Sequence, residues 1–222
     1  MFHDLQQIIR GALKVFFAKG QRKTSYSQFG EDMVLGQLIG KDVKNGSYLD
    51  VGCYHPIKHS NTYFLYKRGW KGVLIDVELA KLVTCRLVRP RDKTLLCGIS
   101  DQVGKMPIFA AKPYSVMTSL SPISDDHRKI GVVDVTTITE VIEKYFAGDC
   151  PTLISVDIEG HDIEAIRGID FAKYRPQYLI VECHESSLGI EAVLQSDLYK
   201  LISEKGYDLR GWTGPSLIFT AL

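Results

Sequence analysis

Apolar positions along this chain follow two rhythms. Over residues 2–19 they recur at steps of three and four, at Phe2, Leu5, Ile9, Leu13 and Phe16, which predicts an amphipathic helix. Gly20 stops it, and Arg22 and Lys23 follow. From Gly46 onward, short unbroken apolar runs alternate with stretches of helical period. The runs are Tyr48–Val51, Val73–Ile75, Thr94–Ile99, Leu153–Val156 and Tyr178–Val181. Brief apolar runs bounded by turn residues suit strands buried on both faces of a parallel sheet. Helices are expected near 61–68, 78–88, 137–147, 160–168 and 190–205, the last closed by Gly206. Tyr207–Gly211 and Ser216–Thr220, joined through Thr213–Pro215, predict a terminal hairpin. Alternation of this kind predicts an α/β fold with a doubly wound sheet. No repeat or linker interrupts it, so the chain divides into an N-terminal helix, 1–23, and one domain, 24–222. Residues 106–136 are the least regular and are expected to form a long loop.

Composition narrows this picture. The 222 residues suffice for one sizeable core, and 45% hydrophobic with 24% charged residues excludes collagen-like and disordered chains. Lys and Arg total 27 against 26 Asp and Glu, for a net charge of +1, so no nucleic-acid partner is expected. The five cysteines are scattered without a C-x-x-C pair, the pattern of reduced thiols in a cytoplasmic protein. Asp4, Arg10 and Lys14 interrupt the N-terminal apolar positions, so a signal peptide is not expected. No run reaches the roughly 20 apolar residues that span a bilayer. The N-terminal helix is expected to pack on the domain or on a second subunit, as in a homodimer. Alternatively, with Arg10, Lys14, Lys19, Arg22 and Lys23, it lies on the inner face of the membrane as a peripheral contact.

The candidate chemistry sits at the strand ends. Asp50, Asp76, Ser100, Asp101, Asp157 and Glu182 each follow or close an apolar run. Ligands of open parallel sheets bind outside the carboxyl ends of the strands, so these residues are expected on one rim. Gly52 lets a ligand approach the backbone closely, and Asp76, 26 residues after Asp50, is placed to accept hydrogen bonds from ribose hydroxyls. A dinucleotide would want a G-x-G-x-x-G turn for its diphosphate. Gly52-Cys53-Tyr54-His55-Pro56 offers a single glycine. A nucleoside cofactor without a diphosphate fits better, and S-adenosylmethionine is the expected one; a nicotinamide-dependent oxidoreductase is disfavoured.

Several blocks, in order, are similar to a known family. They are Ser25-Tyr26-Ser27-Gln28-Phe29-Gly30-Glu31-Asp32, then Leu49-Asp50-Val51-Gly52-Cys53-Tyr54-His55-Pro56, Ser60-Asn61-Thr62 and Arg68-Gly69-Trp70-Lys71-Gly72-Val73-Leu74-Ile75-Asp76. Arg89-Pro90-Arg91-Asp92, Gly98-Ile99-Ser100, Ser155-Val156-Asp157-Ile158-Glu159-Gly160, Lys173-Tyr174-Arg175-Pro176 and Val181-Glu182 follow. Across residues 24–185 the chain resembles the FkbM family of S-adenosylmethionine-dependent methyltransferases. The resemblance implies a Rossmann-like class I methyltransferase fold, with a seven-stranded, mostly parallel sheet, an antiparallel last strand and helices on both faces. It implies a cofactor over Asp50, Gly52, Cys53 and Tyr54, with Asp76 on the ribose and Ile99, Ser100 and Asp101 near the adenine. Gln28 would face the methionine end, and Asp157 would help orient the cofactor's amino group. Tyr54 and Pro56 stand where the usual D-x-G-x-G-x-G turn has its second and third glycines.

A methyl on a sulfonium is already activated, so the enzyme's task is alignment of a nucleophile. A neutral hydroxyl needs a base or a metal as well. Three residues are candidates for that base: His184, His161 and Asp157. A histidine's ordinary pKa of about 6.5 suits the role. Asp157-x-Glu159-x-His161 offers too few oxygen ligands to be diagnostic of magnesium, and no metal is assigned. Ser115, Thr118 and Ser119, in the loop Tyr114–Ser119, are the expected acceptor-side residues. The acceptor expected by family analogy is a small molecule or glycan hydroxyl, on a sugar, nucleotide-sugar or surface polysaccharide. A non-sugar natural product and a non-catalytic scaffold that keeps the cofactor pocket are the alternatives.

Overall fold

The structure is a computed structural model that describes residues 6–7, 9–10, 24–40, 43–111, 115 and 117–222. The expected helix over 2–19 lies largely outside these residues; Gln6, Gln7, Ile9 and Arg10 are helical. Among the described residues, no helix is long and apolar enough to cross a membrane.

The predicted alternation forms a seven-stranded sheet. Its strands are β1 (Ser47–Val51), β2 (Lys71–Asp76), β3 (Lys93–Leu96), β7 (Leu153–Val156), β8 (Tyr178–Glu182), β9 (Tyr207–Thr213) and β10 (Ser216–Ala221). Their order in space is β3-β2-β1-β7-β8-β10-β9. The strands run parallel from β3 to β8, and β10 pairs antiparallel with both β8 and β9. This is the Rossmann-like class I methyltransferase fold with its reversed last strand. The strand order reverses at β1, which is flanked by β2 and β7. That reversal is where an open α/β sheet forms its ligand crevice.

Helices cover both faces. α1 (Glu31–Ile39), α2 (Tyr63–Lys67) and α3 (Leu79–Val88) lie on one, and α4 (Ile138–Tyr145), α5 (Asp162–Arg167) and α7 (Asp197–Glu204) on the other. Alternate strand residues face opposite ways. Leu49, Val51, Val73, Ile75, Ile154 and Val156 join Ile138, Ile142, Ala165 and Ile166 in one buried cluster. Tyr48, Leu74, Leu153 and Ile180 join Leu35, Leu65 and Leu82 in the other. α1 was not anticipated: it buries only Leu35 and Ile39 among its apolar residues and is bounded by Gly30 and Gly40, so its periodic signal is slight. The expected helix 190–205 is two helices, α6 (Ile190–Gln195) and α7. Ser196 divides them, its hydroxyl accepting from the Tyr199 amide at 3.1 Å as an N-cap.

Two strand predictions are corrected. The run 94–99 does not form one strand. Its first part is β3, and Gly98–Ile99 form β4 in a separate sheet, beside β6 (Arg128–Thr136), which in turn pairs with β5 (Gly104–Ala110). A side chain at Gly98 would come within 2.8 Å of Val135 and 3.0 Å of Leu120, so the bare backbone allows β4 to lie against β6. The expected loop 106–136 begins and ends in strands, β5 and β6, that pair as an antiparallel ribbon. Val133 and Val135 turn inward while Asp134 turns out, an alternation that β-branched residues favour.

Candidate functional site

The site begins where β1 ends. Gly52 holds φ +83°, and a Cβ there would lie 1.8 Å from the Asp157 carbonyl oxygen. Only glycine lets the chain turn off β1 this close to β7. The Gly52 and Cys53 amides both donate to the Ile75 carbonyl, at 2.9 and 3.0 Å, tying this turn to the end of β2. A hollow of about 450 Å³ opens beside the turn. Val51, Ile75, Val77, Ile99, Leu120 and Ile158 form its apolar walls, with Cys97 and Gly98. Its polar groups are Tyr54, Asp76, Lys81, Thr118, Ser119 and Asp157.

Asp76 is 6% exposed and heavily engaged. Its carboxylate accepts the amides of Tyr54 at 3.2 Å and Glu78 at 3.0 Å, and the Lys81 ammonium stands 3.6 Å away. Lys81 also pairs with Glu78 at 2.8 Å and lies over the Tyr54 ring. Burial pushes the Asp76 pKa up; Lys81 and the two amides oppose it. The loop after β5 closes over this corner. Thr118 donates to Glu78 at 2.6 Å, and Ser119 donates to the Glu159 carbonyl at 2.7 Å.

A second hollow, of about 540 Å³, lies across β7 and β8. It is lined by Gly160, Asp162, Ile163, Glu164, Glu182, Cys183, His184, Glu185 and Leu198, four of them acids. The loop between β7 and α5 shapes it. Glu159 and Gly160 both have left-handed backbone, at φ +55° and +87°. Asp162 holds them there by accepting the Ile158 and Gly160 amides at 3.2 and 3.1 Å. A Cβ on Gly160 would sit 3.3 Å from His184 Nε2, so the ring lies close above this loop. Asp157 stands between the two hollows: it lines the first, and its carboxyl faces that of Glu182 closely enough to share a proton. Burial pushes both acids well up from the ordinary carboxylate range; the Glu182 charge adds to this at Asp157, and the Glu159 and Asp162 charges add to it at Glu182, where the hydrogen bond with Asp157 works the other way. Burial also pushes up Glu159, and Asp162 rises to about 6. One oxygen of Glu182 is buried, and among the described residues no amide, hydroxyl, Lys or Arg donates to it.

Of the residues expected on the cofactor, Gly52, Tyr54, Asp76, Ile99 and Asp157 line the first hollow. Asp50 does not. It lies on the opposite face of β1, as strand alternation requires, and accepts a short hydrogen bond from Thr62. Thr62 in turn accepts from Arg89 at 2.9 Å. Arg89 is fully buried and also donates to Asp92 at 2.7 Å, Tyr48 at 2.8 Å and Ser60 at 3.3 Å. The Cys53 thiol points away too, 3.9 Å from Cys85. Ser100 is buried against His161, Asp101 is exposed beside it, and Gln28 is exposed; none of the three lines either hollow.

Among the base candidates, His184 lines the second hollow and Asp157 the seam. His161 lines neither: its Nε2 is 3.1 Å from Ser100, its Nδ1 is 3.7 Å from Glu164, and it is 7% exposed. Thr118 and Ser119, expected on the acceptor side, line the first hollow instead. Ser115 is buried and accepts the Met117 amide at 3.1 Å; Tyr114 lies outside the described residues. Lys81, Glu78 and Asp162 were missed. Their only signal was helical spacing, which an exposed helix face shares.

The first hollow fits S-adenosylmethionine on its own chemistry. It pairs apolar walls with a buried carboxylate able to accept ribose hydroxyls, and Gly52 leaves the backbone bare beside them. A diphosphate would meet Asp76 and Asp157, with the lining cation Lys81 already committed to Glu78.

The pattern of the methyltransferase FkbM domain matches residues 50–209. No curated protein matches the chain. Among solved structures, a TehB-like SAM-dependent methyltransferase from Corynebacterium glutamicum is 12% identical at a TM-score of 0.42, covering 99% of this chain and 98% of that one. A putative rRNA-methylase from Clostridium thermocellum is 10% identical at 0.47, covering 89% and 96%. Monomeric WbdD is 15% identical at 0.46; the match covers 86% of this chain and 39% of that longer one.

Proposed function

The chain belongs to the FkbM methyltransferase family, and on that premise we propose that it methylates a hydroxyl of a sugar, nucleotide-sugar or surface polysaccharide. S-adenosylmethionine bound in the first hollow supplies an activated methyl group. The chain's own residues do the rest. Asp76 and the Gly52–Tyr54 turn hold the nucleoside, and the Thr118–Ser119 segment covers it. The acceptor enters the second hollow, where Asp157, Glu182 and His184 hold its hydroxyl as it gives up its proton.

The observation that carries this reading is the shared wall: Asp157 borders the cofactor hollow while its carboxyl meets Glu182, which lines the acidic hollow next door. The lining also favours one kind of acceptor. Asp162, Glu164, Glu182 and Glu185 repel phosphate, and no Lys or Arg lines this hollow. A neutral, hydroxyl-rich glycan therefore suits it better than a nucleotide-sugar.

The test supplies S-adenosylmethionine with a labelled methyl group and offers neutral oligosaccharides and nucleotide-sugars in parallel. Label is expected on glycan oxygen. His184→Ala is expected to slow transfer by about 10²–10⁴-fold while S-adenosylhomocysteine still raises the melting temperature. Label appearing only on nitrogen or sulfur acceptors, or unchanged transfer by the variant, overturns the assignment.

A further inference from the structure

Among the described residues, the carboxylates at the ends of β7 and β8 have no Lys or Arg within ion-pair distance. Elsewhere the acids have one: Lys81 serves Asp76 and Glu78 at the β2 end of the crevice, and Arg89 serves Asp92 behind β1. Among the described residues, no Lys or Arg forms an ion pair with Asp157, Asp162 or Glu182. The group is more than a run of acids. Ligand atoms of Asp162, Glu182 and His184 all lie within 4.8 Å of one another, which sets an imidazole beside two carboxylates. A second set, Asp157, Glu159 and Glu182, meets the same limit and shares Glu182 with the first. The buried Glu182 Oε2, which among the described residues no amide, hydroxyl, Lys or Arg reaches, belongs to the residue common to both. Two carboxyls as close as Asp157 and Glu182 need either a proton or a cation between them.

We propose that Asp162, Glu182 and His184 bind a divalent cation of the manganese or magnesium type, at the edge of the hollow assigned to the acceptor. Oxygen donors with one imidazole suit such an ion, and three protein ligands leave positions open for water or substrate oxygen. The site is built for it in two further respects. The Ile158 and Gly160 amides fix the Asp162 carboxylate from behind, and the glycine at 160 brings the His184 ring down onto the loop. Binding of the ion stands apart from the methyl-transfer reading; its role rests on that reading. An acceptor hydroxyl coordinated to the ion becomes more acidic. Its O–H bond breaks, the electron pair stays on oxygen and the proton passes to water. His184 then serves as a ligand and not as the proton acceptor.

The experiment uses the full chain, stripped with EDTA and titrated with Mn²⁺ while free ion is followed by electron paramagnetic resonance. One tightly held Mn²⁺ per chain is expected. Glu182→Gln, Asp162→Asn and His184→Ala should each weaken it by about tenfold or more, while Asp208→Asn, at an exposed acid on β9, should leave it unchanged. Each variant is first checked for retained stabilisation by S-adenosylhomocysteine, so that a loss of ion binding reads the site and not the fold. His184→Ala alters an exposed residue and guards against the buried variants failing to fold. Absence of bound Mn²⁺ at millimolar concentration, or equal binding by wild type and Glu182→Gln, overturns the proposal and leaves a shared proton as the partner of these carboxyls. Stabilisation by S-adenosylhomocysteine without Mn²⁺ binding removes the ion alone; Mn²⁺ binding without that stabilisation removes the methyl-transfer reading alone.

Discussion

Acids stand at both ends of one crevice, and their surroundings differ. At the β2 end, Asp76 and Glu78 are locked by Lys81, two backbone amides and Thr118. At the β7–β8 end, Asp157, Asp162 and Glu182 crowd one another with only amides and an exposed histidine nearby. A charge that is already compensated can recognise a neutral ligand through leftover lone pairs. A charge that is not compensated holds a proton or recruits a cation. The same residue type at the same end of strands on either side of β1 thus prepares a nucleoside seat in one half and a reactive rim in the other. Behind β1 lies a third arrangement, in which Arg89, Asp92, Tyr48, Thr62 and Asp50 satisfy one another out of contact with either hollow.

The largest effect is expected where the charges only support the fold. Arg89→Met leaves the buried Asp92 and Asp50 without their cation. Breaking a buried pair from one side costs about 3–5 kcal/mol, which for a chain of this size lowers the melting temperature on the order of 10 °C. Calorimetry of the variant checks it. A fall of only a degree or two would mean that Asp50 and Asp92 take up protons without strain, and the contrast between support and site would weaken.

A smaller loss, confined to ligand binding, separates the β2 end from that support. Asp76→Ala leaves Lys81 its 2.8 Å partner Glu78, so the folded state should survive. S-adenosylhomocysteine at 100 times its dissociation constant stabilises the wild type by about 2.7 kcal/mol, and the variant should show almost none of this in a thermal scan. An undiminished shift would move the ribose away from Asp76.

These contrasts bear on what a sequence discloses. The strand runs and the terminal hairpin were legible because buried strands leave unbroken apolar blocks. Asp76 and Gly52 were legible because a strand end and a lone glycine limit what can stand there. Asp50 misled for a reason equally physical: it is one residue from Val51, and one step along a strand changes the face. The ribbon β5–β6 was hidden because much of its outer face is exposed, so its alternation did not read as a core. Lys81 and Asp162 act through near neighbours, Asp76 and Glu78 in one case and the Ile158 and Gly160 amides in the other, and in the sequence such short spacings look the same as those of a solvated helix face. His161 sits one residue nearer to Asp157 in sequence than Asp162 does, yet it faces Ser100, because the start of α5 carries neighbouring residues to different sides.

The finest test of the comparison is pH. Burial raises the Asp76 pKa, with Lys81 and the Tyr54 and Glu78 amides pulling against it and the Glu78 charge adding to it. A carboxyl whose folded pKa lies above its unfolded value of about 3.9 contributes stability below that value, and the contribution is lost as pH rises through the folded pKa. The nucleoside asks for the opposite state, because ribose hydroxyls donate to an ionised carboxylate. Affinity for S-adenosylhomocysteine should therefore fall as pH drops, beginning above the ordinary carboxylate range and at no more than about tenfold per unit for a single proton. Titration calorimetry between about pH 8 and 5 measures the slope in wild type and in Asp76→Asn, whose amide cannot ionise. The slope should vanish in the variant. Persistence of the same slope would assign the titration to the β7–β8 acids across the seam and make the two ends of the crevice one electrostatic unit.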